Sequence, residues 1–412
     1  MKYGCIGEKL KHSFSKEIHN AICDYEYEIR EIPRDELDAF MREADFHGIN
    51  VTIPYKELVI PYLDIIDEHA KIIGAVNTVV KREGKLYGYN TDFSGMTALI
   101  KHIGIDLVGK KVAILGTGGT SKTARAVSES LGASEILVVS RRADDGNINY
   151  DTLVCEHTDV EVIINTTPLG MFPNNYTKPL ELSVFPALSG VVDAVYNPLR
   201  TPLVSEAIAR DIPSLGGLYM LVSQAVSASE IFLDKKYEQD VTDRVFKKIL
   251  REKENIVLIG MPASGKSTVA EILRARLGRK KYDTDDFIVD RAGISIPEIF
   301  GQYGEAHFRA IEHEVALEVA KVSSAVIATG GGIILNPENV KALKQNGRVY
   351  FIDRPLEDLV PTDSRPLSSD RASIEKRYAE RYDIYKASAD VIIDADCDAV
   401  SVAEKIMEDF QN

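Results

Sequence analysis

Phosphate chemistry is written most densely into one short stretch, GMPASGKST. It satisfies the spacing GxxxxGK[ST] with Gly260, Gly265, Lys266 and Ser267, directly after the apolar run IVLIG. In a turn from strand to helix, the backbone N–H groups of such a loop cradle phosphates, and Thr268 continues the cradle. Lys266 would reach the β and γ oxygens, and Ser267 would ligate Mg²⁺. The spacing implies a nucleoside triphosphate, expected to be ATP, without naming the acceptor.

A second glycine-rich stretch has a different design. KVAIL runs into GTGGTSKTARAV, with Gly116, Gly118 and Gly119 at the turn, and resembles a dinucleotide-binding fingerprint. Glycine lets the backbone approach a pyrophosphate, while the helix N-terminus offers free N–H groups and a positive dipole end. The next apolar run, EILVVS, ends in Ser140, Arg141 and Arg142, where an NAD site would place an acidic residue against the ribose hydroxyls. Guanidiniums there favour the 2′-phosphate of NADP. Asp144 and Asp145 follow closely and oppose that preference.

Both loops need strands and helices to aim them. Short β-branched runs (KVAILG, EILVVS, VEVIINTT, GVVDAVY, NIVLIG, SAVIAT, RVYFID) alternate with amphipathic stretches along the chain. That alternation predicts an α/β protein with parallel sheets. At 412 residues, two or three domains are expected. Composition shifts in the charged, helix-patterned segment 234–254, which places a boundary near Lys253.

Polar segments around the first glycine loop resemble those of shikimate dehydrogenases: HSFSKEIHN, GINVTIPYK, GAVNT and YNTD before it, INTTPLGM, VVDAVYNPLRTPL and GLYMLVSQA after it. The match spans residues 1 to 235 in the family's order. The resemblance implies that Ser13 and Ser15 hold a substrate carboxylate, and that Asn50, Thr52, Asn77, Tyr196 and Gln224 bond ring hydroxyls or carboxylate. It makes Lys56 and Asp92 the catalytic pair and adds Thr166 and Gly217 to the NADP site. An ammonium can stabilise and protonate the alkoxide that forms when hydride reaches a ketone, and a carboxylate can position that ammonium. Thr123 and Arg142 depart from the family's usual alanine and threonine.

KYDTDD, GEAHFRAIEHEV and ATGGGI resemble shikimate kinases, over residues 255 to about 395. By that resemblance Asp283 assists Mg²⁺, and Asp285 binds the acceptor hydroxyls and acts as base. Gly330, Gly331 and Gly332 close on the substrate, Arg309 and Arg381 clamp its carboxylate, and Arg365 belongs to a lid. The segment from Asp353 to Arg365 is short for the family, and Asp383 replaces a proline common before Tyr385.

The implied architecture is a substrate domain over 1–100 completed by 217–250, a Rossmann NADP domain over 101–216, and a P-loop kinase domain with a parallel sheet over 254–412. The implied cofactors are NADPH, ATP and Mg²⁺, and the implied substrates are 3-dehydroshikimate and shikimate. Two other readings stay open: quinate with NAD beside a small-polyol kinase, and a sensor of NADP or shikimate without catalysis. The net charge of −14 gives no basic footprint for nucleic acid. No apolar run approaches the roughly 18 residues of a membrane helix, nor does the N-terminus carry a long apolar stretch, so the expected location is the cytoplasm. Cys5, Cys23, Cys155 and Cys397 lack metal-like spacing. A homodimer is left open.

Overall fold

The valine- and isoleucine-rich runs form three sheets flanked by helices, so the expected α/β class is borne out. The computed structural model describes residues 1–10, 14–144, 146–359 and 371–411. Two compact units, Met1–Leu250 and Arg251–Asn412, meet in sequence inside the helix Val241–Lys253. Among the described residues no helix is long and apolar enough to cross a membrane.

The first sheet of the first unit has the strand order Tyr27–Glu31, Tyr3–Gly7, Gly48–Val51, Thr78–Arg82, Lys85–Tyr89, Ile65–Ile66. Its first three strands are parallel, and Thr78–Arg82 is antiparallel to both neighbours. Gly48–Val51 is buried throughout and delivers Thr52 to Lys56 beyond its carboxyl end. The helix Leu218–Leu233 covers this sheet closely, since a Cβ at Gly48 would run into the Phe232 ring. The helix Thr91–His102 packs on the same helix through Gly95, where a Cβ would stand 2.7 Å from Met220 O. Leu99, Ile100, Val222 and Val226 fill that seam, which fixes Asp92 and Gln224 near each other.

The second sheet is wholly parallel, in the order Ser214–Leu215, Gly190–Asp193, Val162–Asn165, Lys111–Leu115, Glu135–Ser140, Ile148–Asn149. The chain winds outward from Lys111–Leu115 on one side, then crosses back to Val162–Asn165 and winds the other way. Open sheets of this kind take ligands at the carboxyl ends of the two strands flanking the reversal. Gly116 and Thr166 are the first residues past those two strands.

In the second unit five parallel strands follow the order Lys280–Asp283, Ala325–Ala328, Asn255–Ile259, Gly347–Asp353, Val391–Asp394. The central strand Asn255–Ile259 is buried at every residue because helices cover both sheet faces, which explains its unbroken apolar run. The long helix Ile296–Val319 starts in a capping box between Ser295 and Glu298 and breaks its regular backbone at Gly304.

Candidate functional site

Lys56 and Asp92 meet in the first unit. Lys56 Nζ lies 2.6 Å from Asp92 Oδ2, and both side chains are only partly exposed. Asp92 stands in the first turn of Thr91–His102, where Asn90 caps the helix by accepting from the Asp92 backbone N–H at 3.1 Å. The carboxylate thus sits at the positive end of the helix dipole, aimed at the ammonium.

This pair lines a cavity of about 770 Å³, and Ser15, Asn50, Thr52, Asn77, Tyr196 and Gln224 line the same cavity. Every described residue expected to touch the substrate in this unit is therefore present in one space. Ser13 lies outside the described residues. Asn77 Nδ2 donates to Gln224 Oε1 at 3.2 Å, and Asn77 Oδ1 accepts from the Thr91 backbone N–H at 2.7 Å. Asn50 Oδ1 accepts from the Tyr27 hydroxyl at 2.7 Å. Tyr27 is buried and stacks on the buried His19 ring with centroids 3.9 Å apart. Burial pushes His19 down to about 3, against a hydrogen bond to Asn50 that favours its charged form, so the ring is neutral. Behind the polar wall lies a second layer, Tyr27, His19, Thr78 and Thr91. Sequence reading missed it, although GAVNT, YNTD and HSFSKEIHN contain three of its members.

A smaller cavity of about 150 Å³ joins Lys56 and Asp92 to Gly119 and Thr123 at the glycine loop. Gly116 has φ +110°, which an L side chain rarely adopts, and a Cβ there would also meet Thr166 Oγ1 at 2.8 Å. Gly118 and Gly119 face open space, with nothing within 4 Å of a Cβ built on either. Gly118 caps the helix Gly119–Ser130 without any side-chain bond, so its first N–H groups are free to meet an anion. The Arg141 and Arg142 side chains are exposed, while Ser140 is engaged with the Arg142 backbone. An open cradle beside two exposed guanidiniums fits a dinucleotide with a 2′-phosphate. Gly217 has a packing reason to be glycine: a Cβ would collide with the Ala194 carbonyl.

In the second unit, Gly260, Ala263 and Gly265 all have positive φ, which curls the loop so that the helix Lys266–Leu277 starts against it. Lys266 is buried and donates to Gly260 O and Met261 O, each at 2.8 Å, tying the start of the helix back to the loop. Ser267 Oγ donates to Asp283 Oδ2 at 3.0 Å, so the two expected Mg²⁺ ligands already adjoin. This oxygen pair beside the loop fits the hard cation. Thr268 follows in the first turn.

Asp283 caps the helix Thr284–Ala292 by accepting from the Asp285 N–H at 3.1 Å. A Cβ on Gly330 would come within 2.5 Å of Asp285 Oδ1, and one on Gly332 would run into the Arg309 guanidinium. Gly331 O accepts from Arg381 Nη1 at 3.1 Å and from the Tyr385 hydroxyl at 2.5 Å. The three glycines thus form a floor between the expected base and the two expected clamping arginines. Arg309 is not free: it bonds Glu312 Oε2 at 2.8 Å and Glu305 Oε1 at 2.9 Å. Glu312 is buried, and its Oε1 has no hydrogen-bond partner among the described residues. Burial raises its pKa, Arg309 opposes the shift, and Asp285 adds to it. Sequence reading passed over Glu312, yet it shares a helical stripe with Phe308, Val315 and Ala316, a spacing that could have shown it inward-facing. Asp383 is exposed on the helix Arg371–Ser388. Arg365 lies outside the described residues.

Comparison with known proteins follows the same division. Residues 5–79 match the family model of the shikimate dehydrogenase substrate binding domain, and residues 262–411 match that of shikimate kinase. A shikimate dehydrogenase (NADP(+)) of Clostridium perfringens strain 13 is 35% identical over 264 residues, which cover 60% of this chain and 97% of that protein. The crystal structure of shikimate dehydrogenase 1 from Peptoclostridium difficile is similar with a TM-score of 0.55 and 36% identity, covering 60% of this chain and 98% of that one. A chorismate mutase/shikimate 5-dehydrogenase fusion protein from Clostridium acetobutylicum gives a TM-score of 0.56 and 33% identity, covering 60% and 96%.

Proposed function

The chain belongs to the shikimate dehydrogenase family and carries a shikimate kinase domain behind it, and from that premise we propose how its residues divide two consecutive reactions. The first is the NADPH-dependent reduction of 3-dehydroshikimate to shikimate. The second is the MgATP-dependent phosphorylation of shikimate to shikimate 3-phosphate, on the route to aromatic amino acids. The ketone reduced in the first step becomes the hydroxyl phosphorylated in the second.

The observation that carries the reductive half is the Lys56–Asp92 pair inside a cavity lined by eight residues of the expected set. When bound, NADPH supplies hydride and MgATP supplies a phosphoryl group. As negative charge develops on the substrate's ketone oxygen, Lys56 stabilises it and donates a proton, while Asp92 holds the ammonium in place. Ser15, Asn50, Thr52, Asn77, Tyr196 and Gln224 orient the ring, together with Ser13. Gly116, Gly118, Gly119, Ser140, Arg141, Thr166 and Gly217 form the cofactor side. We assign substrate binding to 1–100 with 217–250, cofactor binding to 101–216 and phosphorylation to 254–412.

In the second half, Gly260, Gly265, Lys266, Ser267 and Thr268 hold the triphosphate, with Ser267 and Asp283 on the metal side. Asp285 orients the acceptor hydroxyl and takes its proton. Arg309 and Arg381 bind the carboxylate above the glycine floor, with Arg365 at the transferring group. The test is a staged assay on the full chain. Added 3-dehydroshikimate and NADPH should consume NADPH absorbance, and MgATP should then yield ADP and a phosphorylated product. Silence in both stages would favour a sensor.

A further inference from the structure

Thr78 is fully buried and does not line the cavity of the first unit, yet it is hydrogen-bonded to two side chains that do. The orientation of both side chains follows from backbone groups, which cannot exchange donor for acceptor. The Thr91 N–H can only donate, and it reaches Asn77 Oδ1 at 2.7 Å. Asn77 therefore turns its amino group to Gln224 Oε1, 3.2 Å away, and the single Thr91 hydroxyl proton faces both Asn77 Oδ1 at 3.1 Å and Gln224 Oε1 at 3.4 Å. The Asn77 carbonyl can only accept, and it lies 3.4 Å from Asn50 Nδ2. Asn50 Oδ1 consequently faces the Tyr27 hydroxyl at 2.7 Å. Thr78 Oγ1 joins the two amides: it accepts from Asn50 Nδ2 at 3.1 Å and donates to Asn77 Oδ1 at 3.1 Å.

We propose that Thr78 is a positioning residue of the reductive half, coupling Asn50 to Asn77 so that Asn77 and Gln224 present amide N–H groups to the cavity and select a substrate edge bearing acceptor oxygens, a ketone or a carboxylate. The proposal rests on the dehydrogenase reading given above. With their oxygens taken up inside the cluster, Asn77 and Gln224 have amide N–H groups, not carbonyl oxygens, left for a ligand. Tyr27 is the far anchor of the same chain. Removing the Thr78 hydroxyl leaves Asn50 without one acceptor and Asn77 without one donor, in a place water does not reach.

The test compares full-length Thr78→Val, Thr78→Ser and Tyr27→Phe with the parent protein in 3-dehydroshikimate reduction, with NADPH varied in parallel. Thr78→Val should raise the KM for 3-dehydroshikimate about 10- to 100-fold, with the KM for NADPH unchanged. Thr78→Ser, which keeps the hydroxyl, should stay within about twofold of the parent. Equal damage in the valine and serine variants, or a parallel rise in the KM for NADPH, would mean that Thr78 only supports the strand and would overturn the proposal. If Thr78→Val does not fold, Tyr27→Phe decides: a raised KM for 3-dehydroshikimate alone supports the proposal, and an unchanged one overturns it. A parent protein that does not reduce 3-dehydroshikimate overturns the dehydrogenase reading and this proposal together, whereas an active parent with an unaffected valine variant overturns this proposal alone.

Discussion

Lys56 and Asp92 come from separate elements, a loop leaving a buried strand and the first turn of a helix, and their charged ends meet at 2.6 Å. A surface ion pair of this length would contribute little to stability. Inside a cavity, beside a helix N-terminus, the same pair has the fixed orientation that the proposed proton donor requires.

Asp92→Asn keeps the shape of the carboxylate and removes its charge, so Lys56 loses the partner that orients it. Ketone reduction should fall about 10²- to 10⁴-fold, the range of a lost general acid–base contribution. Lys56→Ala should lose at least as much, and shikimate phosphorylation should be unchanged in both variants. Separate measurement of NADPH consumption and ADP release checks this. Loss of both activities in folded Lys56→Ala protein would contradict two independent sites.

Arg141 is exposed beyond the strand Glu135–Ser140, where a 2′-phosphate would lie. Arg141→Asp reverses the charge there and should weaken NADPH by about tenfold or more while affecting NADH far less. Competition titrations with the two cofactors decide it. Equal weakening would show that this arginine does not read the phosphate.

Much of this site could be read from residue order, because backbone-cradling glycines and short polar runs keep fixed places relative to strands. Gly116, Gly118 and Gly119 fall past a strand, and Gly260 to Ser267 past another, as their patterns require. The hidden part was what depends on which way a side chain turns. Glu312 sits among Glu305 and Glu314 in the same helix and looks like one more solvated charge until the apolar stripe is traced through it. Thr78 follows Asn77 in the sequence, but its link to Asn50 crosses between antiparallel strands, and local spacing does not reveal such pairing. The glycine at 217 was legible as a motif position but not as a contact with the Ala194 carbonyl, which only tertiary packing creates.

Asp193 ends a buried strand and is itself fully buried, which pushes its carboxyl up to about 6, while bonds from Thr201, the Val195 N–H and Asn165 pull the other way. An unfolded aspartate ionises near 3.8. As pH rises from about 4 to about 6, the unfolded chain releases this proton before the folded one does, so the folded state loses stability across that window and the loss is complete above it. Asp193→Asn removes the titration. Relative to the parent, the variant should therefore gain about 3 kcal/mol between pH 4 and pH 7. Thermal melts at the two pH values measure it, and a difference between the proteins that does not vary with pH would exclude the mechanism.

Lys266 holds its own loop together: its ammonium is buried and donates to Gly260 O and Met261 O at 2.8 Å each. Two effects of Lys266→Ala follow from that arrangement. The charge that would meet the β and γ oxygens is gone, so phosphorylation should fall at least about 100-fold, as for removal of a single preorganised donor. The two carbonyls also lose their donor, so the second unit should melt earlier than in the parent protein. Lys266→Arg separates the two effects, because a guanidinium retains the charge and can bond carbonyls but is too large and planar for the same curl of backbone. It should keep more of the melting temperature than of the activity. Ketone reduction, measured on the same preparations, should be the same in all three proteins, and a matching loss there would place Lys266 in the support of both sites.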